Sequence, residues 1–586
     1  MRELLGQVHA LLTSHERRRA LGLFVLMTAM ALIEMLSIVS ILPFITVAAN
    51  PEALTEEGLL ARAYEASGAP GERIFLMWLG LVVLAVLIFG NAFKAYTTWK
   101  INHFVNMVGH EIAVRLVRGY LQQPYAWFLT RHSADLAKNV LAEVVQVVNG
   151  VIQPGMLALS RAVIALGIGA LLFAADPVVA LLVVAVLGGA YAALYTSLRA
   201  FVSRSGKARF EANRARYHVV SESFAGVKEV KLRGLEQIAI DHFSAASERF
   251  AHHQAVNATL AAAPRYGLEI IAFGGVLALV LYLLAARGGI EAALPLIALY
   301  AFAGYRMLPT VQEVYAGATK MRFAAPALAL LHRDLAEKGA ARLAYETASA
   351  PLPFRRELHL ERVSFSYAGA DGPALRDVDL VIPRGARVGI SGPTGSGKST
   401  LVDLILGLLA PTSGRILVDG TSLDTPERVR AWQANIGYVP QSIFIADDTI
   451  AANIAFGRPP EEVDRAAVER AARAAQLHDF IVSELPGGYD ATVGERGVRL
   501  SGGQRQRLGL ARALYDEPAV IVLDEATSAL DEATEDAVMA AINALGEEIT
   551  VIMIAHRLRT LEGCGIVVEV AAGKSRCVAT PSSQVE

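Results

Sequence analysis

The sequence predicts a multi-domain chain, in which an all-α polytopic membrane domain with six transmembrane helices is followed by a soluble α/β domain. The chain has 586 residues, which is enough for two or more domains. Hydrophobic residues make up 54% of it and charged residues 19%, and the long apolar runs lie in about the first 330 residues. The remainder alternates short apolar strands with polar segments, as soluble α/β domains do.

The membrane domain is expected over residues 1–332. It begins with the amphipathic stretch Met1–Leu12, which precedes the charged cluster His15–Arg19 and is typical of an interfacial helix. Six apolar stretches follow, each able to cross a hydrocarbon core of ~30 Å at ~1.5 Å per residue. They are Ala20–Ala48, Ile74–Phe93, Val144–Ala175, Pro177–Leu198, Ile270–Ala286 and Ala292–Gln312. The first run is too long for the apolar core of a signal peptide, so we interpret it as a retained span.

The basic residues predict the orientation of these spans. Segment 50–73 carries two arginines against five glutamates, whereas the segments after spans two and four are rich in lysine and arginine. Positive segments stay in the cytosol, so the N-terminus and the soluble domain are expected there, at the cytoplasmic (inner) membrane. Spans two to five then continue past the bilayer as long helices. The external stretch Leu54–Ala66 is amphipathic and either lies on the outer membrane surface or is a solvated loop.

The net charge and the positions of the cysteines limit the classes of function and the compartment that fit this chain. The net charge of −2 gives no sign of a nucleic-acid partner. The two cysteines, Cys564 and Cys577, lie close to the C-terminus and form no disulfide framework, which favours a reducing compartment for this end of the chain.

Charged residues within the apolar stretches are costly and mark functional candidates. Arg265 lies four residues before Glu269, so a pair along one helix is one reading and an anionic group in a central cavity is the other. Arg306 has no acidic residue within one turn, and we favour the cavity for both arginines. Lys94 either extends to the cytosolic interface or joins the same cavity.

A glycine-rich loop is the strongest chemical signal in the chain. Residues 391–400, SGPTGSGKST, lie between an apolar strand and a helix and fit G-x-x-x-x-G-K-[ST]. Backbone N–H groups of such a loop surround phosphate, and the helix directs its positive end at the same anion. Lys398 would reach the β- and γ-phosphates, and the Ser399 hydroxyl would ligate Mg²⁺. The predicted phosphate-binding residues are Gly392, Pro393, Thr394, Gly395, Ser396, Gly397, Lys398, Ser399 and Thr400.

Later segments add residues suited to phosphoryl transfer. Ile436–Gln441 is a predicted strand that ends on glutamine, and Leu500–Gln504 opens a helix. Val520–Glu525 and Val551–His556 are apolar strands that end in Asp-Glu and in Ala-His. They are expected to be parallel strands whose carboxyl ends meet at a ligand crevice. An Asp-Glu pair there offers one carboxylate to the metal shell and one to a water molecule.

In this order, the segments resemble the ATPase domain of ATP-binding-cassette (ABC) transporters. The most specific of them is Leu500–Gln504, LSGGQ, between Gln441 and Asp524. The whole chain resembles an ABC exporter half-transporter with the type IV exporter fold. The resemblance implies a linker over 333–355, a P-loop nucleotide-binding domain over 356–586, and ATP hydrolysis coupled to transport in a homodimer.

The resemblance also implies residue roles in hydrolysis. Gln441 would sense Mg²⁺ and the attacking water, and Asp524 would order the Mg²⁺ shell together with Ser399. Glu525 would polarise the water as general base, and His556 would contact the γ-phosphate.

Other positions would bind the nucleotide itself. Tyr367, at the end of the predicted strand Val363–Tyr367, would stack on adenine. The signature residues Ser501, Gly502, Gly503 and Gln504 would meet the γ-phosphate of the nucleotide held by the opposite cassette. Segments 123–128 and 221–231 fall where exporters place their coupling helices, although ordinary loop helices fit the same composition.

Three membrane stretches resemble the exporters that flip lipid-linked oligosaccharides for glycosylation pathways. They are Leu32–Met35 with Leu42–Thr46, Ala262–Glu269 and Tyr305–Pro309. This resemblance implies a polyprenyl-pyrophosphate-linked oligosaccharide as substrate, with its pyrophosphate held by Arg265 and Arg306 and with Lys94 as a further candidate. Glu313 is acidic where more positive charge is expected. The alternatives are a general lipid or hydrophobic-drug exporter and, in another class, an ATP-gated channel or regulator.

Overall fold

The computed structural model describes residues 2–49, 54, 58–175, 177–266, 269–270, 274, 277, 294–336, 350–494, 497–525, 532–554, 561 and 563–578. The chain forms two compact units. The membrane unit comprises Met1–Gln122 and Arg131–Ala341, and the cassette unit comprises Gln123–Thr130 and Arg342–Glu586. The cassette unit therefore includes a short segment from between predicted spans two and three.

The regular elements in the described part of the membrane unit are all helices. Its helices are α1 Arg2–Leu11, α2 Ser14–Val39, α3 Ile41–Ala49, α4 Leu59–Ser67, α5 Glu72–Leu121, α7 Ser133–Lys138, α8 Val144–Val147, α9 Gln153–Ala175, α10 Pro177–Ala225, α11 Val227–Arg233, α12 Glu236–Ala262, α13 Leu294–Phe323 and α14 Ala325–Ala336, while α6, Tyr125–Phe128, belongs to the cassette unit. Two π-helical turns, Asn139–Glu143 and Val148–Ile152, flank α8. The amphipathic N-terminus is helix α1, and its Leu11 is buried.

The first predicted span is interrupted. Helix α2 ends at Val39, a turn at Ser40 follows, and α3 begins at Ile41. Pro43 explains the break, because a proline has no N–H to donate and its ring would clash with the carbonyl four residues earlier, which is that of Val39. The single continuous span predicted over 20–48 is therefore two helices.

Helices α5 and α10 continue far beyond a bilayer. They have 50 and 49 residues, or about 75 Å each at ~1.5 Å per residue, more than twice a hydrocarbon core. Within the described residues, Ser14–Ser37, Glu72–Leu121 and Ser133–Ala170 are long and apolar enough to cross a membrane. Predicted spans four and six fall in α10 and α13, whereas the fifth, 270–286, lies almost wholly outside the described residues.

The external segment packs on the helices beside it. Val47, Leu54 and Phe75 form a small buried cluster, against which Leu60 and Tyr64 of α4 pack. The rings of Tyr64 and Phe75 meet edge to face at 5.2 Å. The described part of this segment is therefore anchored to α3 and α5, which neither of the two sequence-based alternatives anticipated.

The cassette unit contains two sheets. One has the order β2-β1-β4-β5 and the other β10-β9-β3-β8-β7-β6. The strands are β1 Glu357–Phe365, β2 Leu375–Pro383, β3 Arg387–Ser391, β4 Ser413–Val418, β5 Thr421–Ser422, β6 Ile436–Val439, β7 Val520–Asp524, β8 Thr550–Ile554, β9 Ile566–Ala571 and β10 Lys574–Val578. The helices are α15 Lys398–Ile405, α16 Pro426–Gln433, α17 Ile450–Ile454, α18 Arg465–Ala474, α19 His478–Glu484, α20 Gly502–Leu514 and α21 Glu532–Asn543.

The larger sheet positions the site. Strands β9, β3, β8, β7 and β6 are parallel in that spatial order, and β10 closes the edge antiparallel to β9. All five residues of β8 are buried, as are the first four of β7, so both faces of these strands are covered. The carboxyl ends of β3, β7 and β6 therefore open on the same edge of the sheet, where ligands bind in folds of this type.

Candidate nucleotide site and membrane charges

The glycine-rich loop joins β3 to α15, as predicted. Gly392, Gly395 and Gly397 have φ values of 144°, 80° and 109°, a region that favours glycine. A Cβ atom at Gly392 would collide with the carbonyl oxygen of Val570, and one at Gly397 would lie 2.9 Å from that of Ala374. The backbone can therefore form this tight loop only with glycine at these positions.

Lys398 lies inside the loop. Only 6% of it is exposed, and its Nζ donates hydrogen bonds to the carbonyls of Gly392 at 2.9 Å and Pro393 at 3.0 Å. The Ser396 hydroxyl is also buried and has no hydrogen-bond partner among the described residues. A buried ammonium group and an unsatisfied hydroxyl beside the amino end of α15 suit a phosphate, which accepts several hydrogen bonds.

Tyr367 lies two residues after the end of β1 and close to the helix that follows this loop. Its hydroxyl lies 2.9 Å from Oγ1 of Thr400, and its ring packs edge to face on Phe365 at 4.9 Å. The ring is thus fixed beside the phosphate-binding helix, and its stacking on adenine stays a prediction.

The two carboxylates at the end of β7 have different surroundings. Asp524 ends the strand, and Tyr438 on β6 donates a hydrogen bond of 3.4 Å to its Oδ2. Glu525 has a left-handed backbone with φ of 48°, and the amide of Gln441 donates to its Oε2 at 2.6 Å. The predicted water-polarising pair of Gln441 and Glu525 is thus in direct contact, whereas His556 lies outside the described residues.

Asp403 is a functional candidate that the sequence interpretation missed. Burial raises the pKa of Asp403 to about 6, with a contribution from the charge of Asp524. The pKa of Asp524 is raised in turn, first by burial and then by the charge of Glu525. Asp403 lies one helical turn after Ser399 on α15, a spacing that places both side chains on the same helix face and could have identified it.

These residues fit a magnesium ion. Mg²⁺ prefers oxygen donors and takes one or two carboxylates together with substrate phosphates. The predicted ligands, which are the Asp524 carboxylate, the Ser399 hydroxyl and the Gln441 amide oxygen, would supply such donors, and the acidic charge of Glu525 beside Asp524 favours a cation. Among the described residues, no three His, Cys, Asp or Glu side chains group into an all-protein metal site.

The signature segment begins helix α20. The Ser501 hydroxyl accepts from the Gln504 N–H at 3.2 Å, and the Gln504 side chain accepts from the Ser501 N–H at 2.7 Å. This capping box fixes the start of the helix, with Ser501 and Gly502 exposed and Gly503 buried. The exposed amino end of α20 is therefore available to an anion, as its predicted role requires.

The two predicted coupling segments are both helical. Segment 123–130, which contains α6, belongs to the cassette unit. Burial raises the pKa of Tyr125 there, and Asp403, Tyr367 and Asp524 contribute in that order, which places α6 near the nucleotide site. Helix α11 lies in the membrane unit and exposes Val227 and Leu232, the latter to 87%.

The structure gives the charged membrane residues specific partners. Arg265 Nε lies 2.7 Å from Oε1 of Glu269, so the helix-internal pair is formed. Lys94 Nζ lies 3.3 Å from Oε1 of Glu34 on α2, a partner 60 residues away in the sequence. The side chain of Arg306 lies outside the described part of the structure.

The unexpected acidic residue Glu313 also has a partner. Its Oε2 on α13 lies 2.6 Å from Nε of Arg161 on α9, so the two opposite charges neutralise each other. Glu313 therefore does not argue against an anionic substrate elsewhere in the membrane unit.

Comparison with known proteins identifies the family. Residues 20–287 match the ABC transporter transmembrane region and residues 375–528 match the ABC transporter domain. The ATP-dependent lipid A-core flippase of Saccharophagus degradans is 30% identical over 511 residues, which cover 85% of this chain and 83% of that protein. The protein of the same name from Cupriavidus pinatubonensis is 36% identical over 366 residues, covering 61% of this chain. That match spans 60% of the Cupriavidus protein. The ATP-dependent lipid A-core flippase of Ralstonia nicotianae is 46% identical over 222 residues, and this match spans 37% of its length.

A solved structure shares the fold. The structure of a bacterial Atm1-family ABC exporter with ATP bound aligns with a TM-score of 0.77 at 22% identity, covering 97% of this chain and 96% of that one. The predicted fold class, a helical membrane domain joined to an α/β cassette, is confirmed. The chain belongs to the ABC transporter family and fuses an ABC transmembrane region to an ATP-binding cassette.

Proposed function

We propose that two copies of this chain form an ATP-driven flippase for an anionic glycolipid in the cytoplasmic membrane. The observation that carries the proposal is the contact of Gln441 with Glu525 beside the glycine-rich loop. A glutamate held by an amide at the end of a central strand is suited to polarising a water molecule for continued ATP turnover. This arrangement favours a transport motor over the alternative of an ATP-gated channel.

In the proposed reaction, Glu525 orients a water molecule and accepts its proton as the oxygen attacks the γ-phosphorus of ATP. The bond from that phosphorus to the bridging oxygen breaks, which yields ADP and inorganic phosphate. Lys398 leaves the carbonyls of Gly392 and Pro393 and donates to the phosphates, while loop N–H groups stabilise the developing charge. Mg²⁺, held by Ser399, Asp524 and Gln441, would neutralise phosphate charge.

Two features support a homodimer. The amino end of α20 is exposed and capped, so it can contact a nucleotide on a second cassette. Helix α11 exposes apolar side chains beside Phe224, which is 70% exposed. On the cassette, Phe444, three residues beyond Gln441, forms an exposed aromatic pair with Phe456, and the two ring centroids are 5.9 Å apart. Exposed apolar surfaces of this kind are candidates for contact between two copies of the chain.

The substrate is proposed to combine an apolar chain with a phosphate-bearing saccharide. The curated relatives are named lipid A-core flippases, which favours a lipid A-core type of glycolipid. A polyprenyl-pyrophosphate-linked oligosaccharide is the second candidate, supported by the membrane stretches around Arg265 and Arg306. Both candidates carry phosphate that arginine recognises by paired hydrogen bonds, and both keep their apolar chains in lipid.

The ATPase activity of the full chain in nanodiscs tests this function. Adding lipid A-core glycolipid, polyprenyl-pyrophosphate oligosaccharide or phosphatidylcholine should stimulate hydrolysis only for the anionic glycolipids. Equal stimulation by phosphatidylcholine would favour a general lipid exporter instead.

A further inference from the structure

Three buried polar side chains from separate parts of the membrane unit meet at one point. Tyr120 lies in the last turn of α5, Asn139 opens the first π-helical turn, and Asp334 lies in α14. Their exposed fractions are 4%, 6% and 2%. Buried polar groups of this kind are retained only where they are hydrogen-bonded.

The three side chains form one hydrogen-bonded cluster. The Tyr120 hydroxyl donates to Asp334 Oδ2 at 2.5 Å. The Asn139 amide donates to the same carboxylate oxygen at 3.3 Å and to the Tyr120 oxygen at 3.2 Å. A buried carboxylate that accepts from two donors has few alternative arrangements, so the three segments are held in one geometry.

The location of this cluster along the chain is informative. The polypeptide passes between the membrane unit and the cassette unit three times, after Gln122, after Thr130 and after Ala341. Tyr120 lies two residues before the first passage, Asn139 nine after the second, and Asp334 seven before the third. Every covalent connection between the two units therefore departs from a segment that the cluster holds.

The same π-helical turn is also tied to α10. Its last residue, Glu143, is fully buried and accepts from Arg209 at 3.3 Å and from Asn213 at 2.8 Å. Asn139 and Glu143 thus attach the two ends of this turn to different helices. A π-helical turn interrupts the regular ladder of an α-helix and often marks a functional site.

We propose that Tyr120, Asn139 and Asp334 form a clasp that transmits nucleotide-driven closure of the cassettes to the membrane helices. The inference rests on the proposed transport function, and the three are positioning residues that do not touch the nucleotide. Such a cluster can act as a two-state element, because its hydrogen bonds are either made together or broken together. Asn139 Oδ1 is buried without a hydrogen-bond partner among the described residues, so it offers a further acceptor to a second arrangement.

Hydrogen–deuterium exchange of the full chain in nanodiscs tests the clasp, with and without Mg²⁺ and the non-hydrolysable analogue AMP-PNP. Asp334→Asn removes the charge at constant shape, and Tyr120→Phe removes the hydroxyl while keeping the ring. Asp241→Asn and Tyr96→Phe are the controls, because both residues are exposed on helices of the same unit. Nucleotide affinity, basal ATPase and melting temperature are measured on each protein.

The clasp predicts that Asp334→Asn and Tyr120→Phe bind AMP-PNP as the wild type does and keep basal ATPase. They should lose the nucleotide-induced change in exchange along α9 and α10, whereas the controls keep it. A lower melting temperature with an unchanged exchange response would show that the cluster only stabilises the unit, and would overturn the proposal. If the wild type itself binds no nucleotide, the proposed function fails, which is a separate result.

Discussion

The side-chain amide of Gln441 donates a hydrogen bond of 2.6 Å to the carboxylate of Glu525, across 84 residues of sequence. Gln441 lies two residues after the end of β6 and Glu525 directly after β7, and these two strands are parallel neighbours. It ties the group that would polarise the attacking water to the segment leading to the exposed Phe444.

Replacing Glu525 with glutamine should stop turnover and leave ATP binding intact. The variant keeps its size but has no carboxylate to accept a proton, so hydrolysis should fall by on the order of 10²- to 10⁴-fold. Phosphate release measures the rate, and equilibrium binding of labelled ATP measures affinity. Glu517→Gln, at an exposed glutamate on the same unit, is the control. Turnover near the wild-type rate would contradict the assigned role.

Replacing Gln441 with alanine should slow hydrolysis less severely. Loss of one hydrogen bond to a charged group corresponds to roughly 10- to 100-fold in rate, because Glu525 is then less well positioned. The variant should also weaken any stimulation by glycolipid, since stimulation requires the water-polarising pair to remain intact. If the variant has a normal basal ATPase rate and normal stimulation by glycolipid, Gln441 contributes to neither, and the prediction is wrong.

Asp403→Asn should stabilise the nucleotide-free protein at alkaline pH. Burial raises the pKa of Asp403 to about 6, so its protonated form is favoured in the folded state. The associated stability is present below its unfolded pKa of about 3.9 and is lost as the pH rises through 6. The neutral asparagine avoids this loss, so its gain in melting temperature should be larger at pH 8 than at pH 5. The partial exposure of Asp403 limits the effect to about 1–2 kcal/mol. An equal gain at both pH values would contradict the assignment.

Ser501→Ala should destabilise the cassette through its helix cap. The Ser501 hydroxyl accepts the Gln504 N–H at the start of α20, and loss of such a cap costs about 1 kcal/mol. Thermal unfolding without nucleotide measures the loss of helix-cap stability alone. If Ser501 also contacts a nucleotide on the partner cassette, the ATPase rate should fall beyond the stability loss, whereas Ser501→Thr should retain both properties.

The paired substitutions Arg265→Ala and Arg306→Ala should abolish glycolipid stimulation and spare basal ATPase. Each lost charged hydrogen bond weakens headgroup binding by roughly tenfold or more. Glu269→Gln is the matched control, because it breaks the observed pair with Arg265 but leaves the arginine available to an anion. If Glu269→Gln has the same effect as Arg265→Ala, the pair is structural and the anion-binding role of Arg265 is wrong.

The nucleotide site could be predicted from local sequence motifs. The ion pairs between residues far apart in the sequence could not. The loop at 391–400 and the signature at Leu500–Gln504 are contiguous, so their chemistry is readable from neighbouring residues. The break after Val39 was also readable, since Pro43 was visible within the predicted span. The pairs Lys94–Glu34 and Arg161–Glu313 join residues 60 and 152 positions apart. Tertiary packing alone brings such residues together, and the clasp at Tyr120, Asn139 and Asp334 arises in the same way.

The most direct measurement is ATP-dependent translocation by the full chain reconstituted in liposomes. The vesicles contain, in separate samples, lipid A-core glycolipid, a polyprenyl-pyrophosphate oligosaccharide or a fluorescent phosphatidylcholine. The account predicts that ATP moves at least one of the anionic glycolipids across the bilayer, that phosphatidylcholine stays behind, and that Glu525→Gln abolishes the movement. Movement of phosphatidylcholine at the same rate, or glycolipid movement that persists in Glu525→Gln, would contradict an ATP-driven glycolipid flippase.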